Sequence, residues 1–507
     1  MLPAWLDPLY EGAEMRAVDS WAVEHGGVPS LDLMERAGLG LARAAAAMAA
    51  GADPIAIVIG KGNNGGDGLV AARQLRRDGH VVRLLAACDP AELQGDARAN
   101  LECLTGDGPQ AFDPALLQGA ACIVDCLLGT GFEGTPREPV AGAIEAINAT
   151  GAPVLACDVP SGVDAATGRV EGPAVKADAT ATFHGSKIGL HVAPGKHHSG
   201  AVQIIDIGVP RGAPAPTGAG LISGRVLELV PARAAEGSKF TSGVVAVAGG
   251  ARGLTGAPCM TAMAAQRTGA GYVQVAVPAS LEPILEGLLL EPMTVGLPEA
   301  DGSHVPEGAE RVIEMAERSG AAVLGPGLGR AESALAFARR VAQALEGPLL
   351  IDADGLNAHS GALESLAGRN GPTVLTPHAG ELARLLDTTS DSVAADRLAS
   401  AREAARRSGC VVILKGDDSI VAAPGGLVAI SPGATPGLAT AGTGDVLSGV
   451  VAALMAKGLE AFEAAAAGVL AHAHAGIAAA RRVGAEHTVA RDVIDALPAA
   501  FSAGAPE

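Results

Sequence analysis

Residues Ile55-Ala56-Ile57-Val58-Ile59-Gly60-Lys61-Gly62-Asn63-Asn64-Gly65-Gly66-Asp67-Gly68-Leu69-Val70 decide the fold class. The unbroken apolar run Ile55–Gly60 reads as a strand buried on both faces, and the pattern from Leu69 to Asp78 reads as the helix that follows it. Between them, glycines let backbone N–H groups approach an anion, and the dipole of the coming helix adds a favourable potential. The two asparagines and Asp67 add side-chain oxygens, which suit a ribose or a hard monovalent cation. The spacing is neither GxGxxG nor a phosphate-binding lysine loop, and a capped glycine turn is the plainer alternative.

Working outward, apolar runs at Val81–Ala87, Ala121–Leu127, Val154–Asp158 and Val202–Ile207 alternate with helical stretches at Leu31–Ala50 and Val140–Ala149. That alternation predicts a parallel sheet wound by right-handed crossovers. A leading helix, Glu11–His25, puts Met15, Val18, Trp21 and Ala22 on one face, the pattern of ordinary packing. Two more strands run into polar loops, Asp125-Cys126-Leu127-Leu128-Gly129-Thr130-Gly131-Phe132-Glu133-Gly134-Thr135 and Asp158-Val159-Pro160-Ser161-Gly162-Val163-Asp164. Ligands bind beyond the carboxyl ends of parallel strands, so three such loops converge on one crevice.

The proline-rich stretch Gly208–Gly220 divides the 507 residues. We expect a first domain over 1–212, a linker over 213–220 and a second domain over 221–507. The second part repeats the alternation, with strands at Val244–Ala248, Tyr272–Val277, Ala321–Gly325, Leu349–Ile351 and Val411–Lys415. A meander follows through Ile420–Ala423 and Leu427–Ile430, then helices from about Asp445 to Lys457 and Ala461 to Arg481. With 36 Lys+Arg against 55 Asp+Glu, a net −19, and only 2% aromatics, the chain argues against nucleic acid and anionic lipid as partners. Seven scattered cysteines without a CxxC pair suit reduced thiols in a cytoplasm. Neither a spanning segment nor a secretory signal is expected near the start.

In the second part, Thr435-Pro436-Gly437-Leu438-Ala439-Thr440-Ala441-Gly442-Thr443-Gly444-Asp445 opens a helix through Val446-Leu447-Ser448-Gly449. Glycines at a helix N-terminus offer backbone donors to charge on a transferring phosphoryl group, and Asp445 can accept a proton from an attacking hydroxyl. Lys415-Gly416-Asp417-Asp418-Ser419 offers a lysine and loop amides to phosphates. His378 and Glu381 follow another strand in Thr376-Pro377-His378-Ala379-Gly380-Glu381, and Asp352 and Asp354 with Asn357 suit magnesium or ribose. His472 and His474 lie two apart on different helix faces and read as packing.

The loops Asn63–Gly68, Asp125–Thr135 and Asp158–Gly162, with Leu33-Met34-Glu35-Arg36-Ala37-Gly38 and Phe183-His184-Gly185-Ser186-Lys187-Ile188-Gly189, resemble the NAD(P)H-hydrate epimerase family over about Leu9 to Pro210. On Thr376–Glu381, Lys415–Ser419 and Pro436–Gly449, the chain from about Gly220 to Pro498 resembles the ADP-dependent NAD(P)H-hydrate dehydratases. The resemblance implies an α/β protein, a Rossmann-like three-layer domain followed by a ribokinase-like one. In the first, Asn63, Asn64, Gly65, Gly66, Asp67, Gly129, Thr130, Gly131, Phe132, Glu133, Gly134, Thr135 and Asp158 would hold the hydrated dinucleotide. Asn64, Asp125 and Ser161 would hold potassium, and Asp158 would be catalytic, with Lys187 to help orient the ligand. In the second, Ala257, Gly327, His378, Ala379, Gly380, Glu381, Leu382, Ala383, Arg384 and Asp445 would bind the hydrate. Lys415, Gly416, Asp417, Asp418, Ser419 and Thr435, Pro436, Gly437, Leu438, Ala439, Thr440, Ala441, Gly442, Thr443 and Gly444 would bind ADP, Mg2+ would bridge the phosphates, and Asp445 would be catalytic.

The implied function is repair of hydrated NADH and NADPH: epimerisation of the R and S hydrates, then dehydration of the S form to NAD(P)H, AMP and phosphate. The alternative is a vitamin-precursor kinase fused to a non-catalytic nucleotide-binding domain. Homo-oligomerisation is left open by the sequence.

Overall fold

The computed structural model describes Leu2–Ser502, and the chain forms two compact units. One comprises Pro8–Ala219; the other comprises Pro3–Asp7 with the residues from Gly220 onward. The expected linker is not an open tether at its end, because Ala219–Ile222 is a strand. The N-terminal residues leave the first unit for a packing reason. Trp5 sets its ring 5.7 Å from that of Phe462, and its carbonyl accepts hydrogen bonds from the Ser223 N–H and hydroxyl.

In the first unit the strands run, in spatial order, Gln110–Ala111, Val82–Ala86, Ile55–Ile59, Cys122–Cys126, Val154–Cys157, Ala179–Phe183 and Ala201–Ile205, every pair parallel. Period-two alternation sorts the two faces of Ile55–Ile59. Ile55, Ile57 and Ile59 enter a core with Leu41 and Leu69, while Ala56 and Val58 enter the opposite core with Ile123 and Ile144. Helices thus cover both faces, the three-layer arrangement expected.

The strand Ala179–Phe183 escaped the sequence reading because its apolar content is small. Thr180 and Thr182 are fully buried there, their hydroxyls donating to the Ser199 carbonyl and to Asp158. The first crossover helix begins earlier than its hydrophobic period, at Asn63 rather than Leu69. Its first turn lies on the end of its own strand: a Cβ at Gly65 would stand 2.1 Å from the Gly60 carbonyl oxygen. The Asn-Asn-Gly-Gly-Asp motif is therefore the helix N-terminus itself, with unpaired backbone N–H groups at its open end.

The sheet of the second unit runs Met293–Leu297, Tyr272–Pro278, Val244–Ala248, Ala321–Leu324, Leu349–Ile351, Thr373–Leu375 and Val411–Leu414, all parallel. It continues through the antiparallel meander Ile420–Ala422 and Val428–Ile430 to Ala219–Ile222. Its two Ala-rich helices span Thr443–Ala456 and Ala461–Val483. Among the described residues, no helix is long and apolar enough to cross a membrane.

Ile57 has no exposed surface. Ile57→Ala should cost the first unit about 2–5 kcal/mol, read as a lowered urea midpoint.

Candidate functional sites

A cavity of about 790 Å³ in the first unit has walls from three strand ends. Asn63, Asn64 and Asp67 come from the first helical turn, Gly129, Thr130, Gly131 and Phe132 from the loop after Cys122–Cys126, and Asp158 from the loop after Val154–Cys157. Lys187 and, from the leading helix Gly12–Glu24, Asp19 join the wall.

Asp158 adopts φ 66, a left-handed conformation that costs a non-glycine residue energy and marks functional loops. Three donors converge on its Oδ1: Lys187 Nζ at 2.6 Å, the Thr182 hydroxyl at 3.0 Å and the Phe183 N–H at 3.3 Å. The Lys187 side chain is 1% exposed and also donates to Thr182 Oγ1 and the Phe183 carbonyl. Burial, then the charges of Asp158 and Asp19, push the Asp67 carboxyl well up, with Lys187 opposing. Partial desolvation and Asp158 push Asp19 up to about 6, again against Lys187.

A second polar cluster lies just behind this wall. Asp125 is fully buried and carries one Ser161 hydrogen bond on each oxygen, from the hydroxyl at 2.6 Å and the N–H at 2.8 Å. Burial pushes its carboxyl up to about 6, against the hydrogen bonds of Ser161 and Leu127. Asn64 donates to the carbonyls of Leu128 and Cys157 at 2.7 and 2.9 Å, tying two strand ends together. A buried carboxylate beside the Ser161 hydroxyl, with the Leu128 carbonyl on that same hydroxyl, fits a hard monovalent cation, which would supply the missing counter-charge.

In the second unit, Lys415 reaches Asp352 Oδ1 at 3.0 Å and Glu381 Oε2 at 3.8 Å. Ser448, one turn along from Asp445, donates to Asp352 Oδ2 at 2.7 Å. Burial by itself would lower the Lys415 ammonium, but Asp352 and Glu381 outweigh it and the net shift is upward. Asp445 is pushed up to about 7, first by burial and then by Asp352, with Lys415 opposing and Glu381 adding. Gly442 at φ 91 caps this helix, which starts at Thr443 rather than Asp445. The Thr443 hydroxyl closes the preceding turn on the Leu438 and Thr440 carbonyls.

The fold separates some residues that sequence grouped. Asp352 faces Lys415, whereas Asp354 accepts from the Gly329 N–H, Arg330 and Asn357. The Asp418 side chain is fully buried against Arg397 at 2.7 Å, so only its backbone is left for a nucleotide. Leu382 and Ala383 are buried on the inner face of Ala379–Leu386, while Arg384 donates to Asn357. The Ser419 hydroxyl closes its own loop on the Gly416 carbonyl. His378 caps its helix, its Nδ1 accepting from the Gly380 and Glu381 N–H groups. Gly327 and Ala257 come together, a Cβ on the glycine falling 3.2 Å from that of Ala257. Glu133, Gly134 and Thr135 do not line the first cavity, and Thr135 instead donates to the Glu171 carbonyl. His472 is half-buried beside the Thr443 backbone, and desolvation holds its imidazole down to about 4, in keeping with packing. Sequence reasoning missed Asp19 and Ser448. The available signals were an acidic residue near the apolar face of an amphipathic helix and a serine one turn after the catalytic candidate.

Two family models match the chain: "YjeF-related protein N-terminus" over residues 30–189 and "NAD(P)H-hydrate dehydratase" over residues 245–499. The chain is 41% identical to a bifunctional NAD(P)H-hydrate repair enzyme Nnr of Salinibacter ruber, over 97% of this chain and 95% of that protein. It is 39% identical to the namesake of Moorella thermoacetica, over 97% and 96%. An ADP/ATP-dependent NAD(P)H-hydrate dehydratase structure from Bacillus subtilis aligns with 56% of this chain and 98% of its own, at 24% identity and a TM-score of 0.49.

Lys415 opposes the upward shift of Asp445. In Lys415→Met the Asp445 carboxyl should titrate above 7, as followed by the chemical shift of a carbon-13-labelled aspartate.

Proposed function

This chain belongs to the bifunctional NAD(P)H-hydrate repair enzymes, and we propose the following division of labour between its residues. The first unit interconverts the R and S hydrates. The second dehydrates the S hydrate with ADP, giving NAD(P)H, AMP and phosphate.

In the first unit, the free N–H groups at Asn63–Gly65 receive the dinucleotide's diphosphate, and Gly129–Phe132 line the way to the ring. At C6 the hydroxyl departs as the ring-nitrogen lone pair forms an iminium, and water returns to either face. Asp158 stabilises that cation and exchanges the proton, with Lys187 fixing its orientation. Potassium at Asn64, Asp125 and Ser161 would neutralise the buried carboxylate and stiffen the loops beside the ring.

In the second unit, Asp445 takes the C6 hydroxyl proton as that oxygen attacks the β-phosphorus of ADP, and AMP leaves. Phosphate then departs from C6 with loss of a C5 proton, restoring the dihydropyridine. Lys415 and the Gly442–Gly444 amides receive the phosphate charge. Magnesium would screen the charge of the phosphates. The observation that carries this reading is Asp445 itself, raised to about 7 in the first turn of a glycine-capped helix beside Lys415.

The test is purified protein with mixed R and S hydrates and ADP. Both should be consumed as dihydronicotinamide absorbance returns; a kinase would leave the absorbance unrecovered, and a purely binding first unit would leave the R form. Asp445→Asn should abolish dehydration and spare epimerisation, and Asp158→Asn should do the reverse. Because the acting form of Asp445 is the carboxylate, dehydration should rise with pH through about 7 and level off above it.

A further inference from the structure

Epimerisation at C6 is a two-face problem: oxygen leaves one side of the ring and returns to the other. One carboxylate at a strand end serves one side. The helix Gly12–Glu24 buries Met15, Val18 and Ala22 against the unit, yet it also presents Asp19 to the cavity that Asp158 lines. These two carboxyl groups come from separate elements and are close enough to feel each other's charge.

We propose that Asp19 is a second catalytic residue of the first unit, the proton donor to the departing C6 oxygen on the face opposite Asp158. The proposal rests on reading this unit as the epimerase. In the R-to-S direction the C6–O bond breaks, its electron pair stays with oxygen, and the Asp19 proton completes a water molecule. The ring-nitrogen lone pair forms the iminium. Water then adds to the other face, its oxygen bonding C6 while Asp158 takes the released proton. The S-to-R direction runs the same transfers backward, so the pair shares one proton, and exchange with cavity water resets it.

The surroundings favour Asp19 over its neighbour. Asp67 is only 8% exposed beneath the first helical turn, whereas Asp19 is open to the cavity. The charges facing Asp19 are Lys187, Asp158 and Asp67, with Arg16 one turn earlier on its own helix. Partial desolvation at the cavity wall and the Asp158 charge, against Lys187, raise its carboxyl to about 6, so part of it stays protonated near neutrality, as a donor requires. Asp158 is held as a hydrogen-bond acceptor: Lys187, the Thr182 hydroxyl and the Phe183 N–H all donate to its Oδ1.

The test follows R-to-S conversion by the full chain without ADP, so that dehydration is silent. Wild type should show kcat falling as pH rises above about 6, the loss of protonated Asp19. Asp19→Asn should lower kcat by about 100-fold or more and erase that alkaline limb, while its Kd for NADP+ stays within about twofold. Asp19→Glu should recover part of the rate with the limb present. An Asp19→Asn enzyme that keeps the wild-type rate, or loses rate but keeps the limb, overturns the proposal. If Asp19→Asn fails to bind NADP+, Asp19→Glu decides: recovery with the limb supports the role, and a profile without it overturns it. A wild-type chain that converts R to S no faster than the uncatalysed reaction would instead bring down the reading of this unit as the epimerase.

Discussion

A lysine ammonium stands among carboxylates in each unit, and it sets the electrostatics of both crevices. Lys187 lies against Asp158 with Asp67 and Asp19 nearby; Lys415 lies against Asp352 and Glu381 with Asp445 nearby. Taking a carboxylate out of water costs several kcal/mol, and gathering several in one cleft adds mutual repulsion. One lysine offsets part of this and leaves the remainder as raised proton affinity. Asp19 near 6 and Asp445 near 7 are that remainder.

Each unit has a glycine-bearing helix start whose open N–H groups offer a place for an anion, though it is reached differently. The first follows a parallel strand at once, whereas the second follows the antiparallel meander and the turn through Pro436–Leu438. At Asn63 the turn is pressed on its own strand through Gly65; at Thr443 it is set by Gly442 in a left-handed conformation. The surroundings then differ. In the first crevice Asp125 is buried against the Ser161 hydroxyl and N–H. In the second, Ser448 joins the Lys415–Asp352 pair to the helix that carries Asp445.

Most strands of both sheets were legible because a strand buried on two faces must be apolar throughout, as Ile55–Ile59 and Val411–Leu414 are. Ala179–Phe183 was not, because its buried threonines satisfy their hydroxyls through partners remote in sequence. The polar motifs were legible as motifs but not in their geometry. The hydrophobic period starts after Asp67, so the turn before it looked like loop although it is already helix. Asp418 looked like a phosphate-loop residue, yet its carboxylate is spent on Arg397, twenty-one positions earlier in the chain.

Local sequence by itself determined the α/β class and picked out the glycine-rich turns and Asp158 and Asp445 as candidates, because strand burial, backbone permissiveness and proton chemistry are properties of short stretches. Only the tertiary structure decided which charges meet. Lys187 Nζ finds Asp158 across twenty-nine residues and Lys415 finds Asp352 across sixty-three, while Asp19 reaches the same cavity from a helix whose pattern spoke only of packing. Electrostatic energy depends on distance through space and on local burial, and neither quantity is written in the order of residues along a chain.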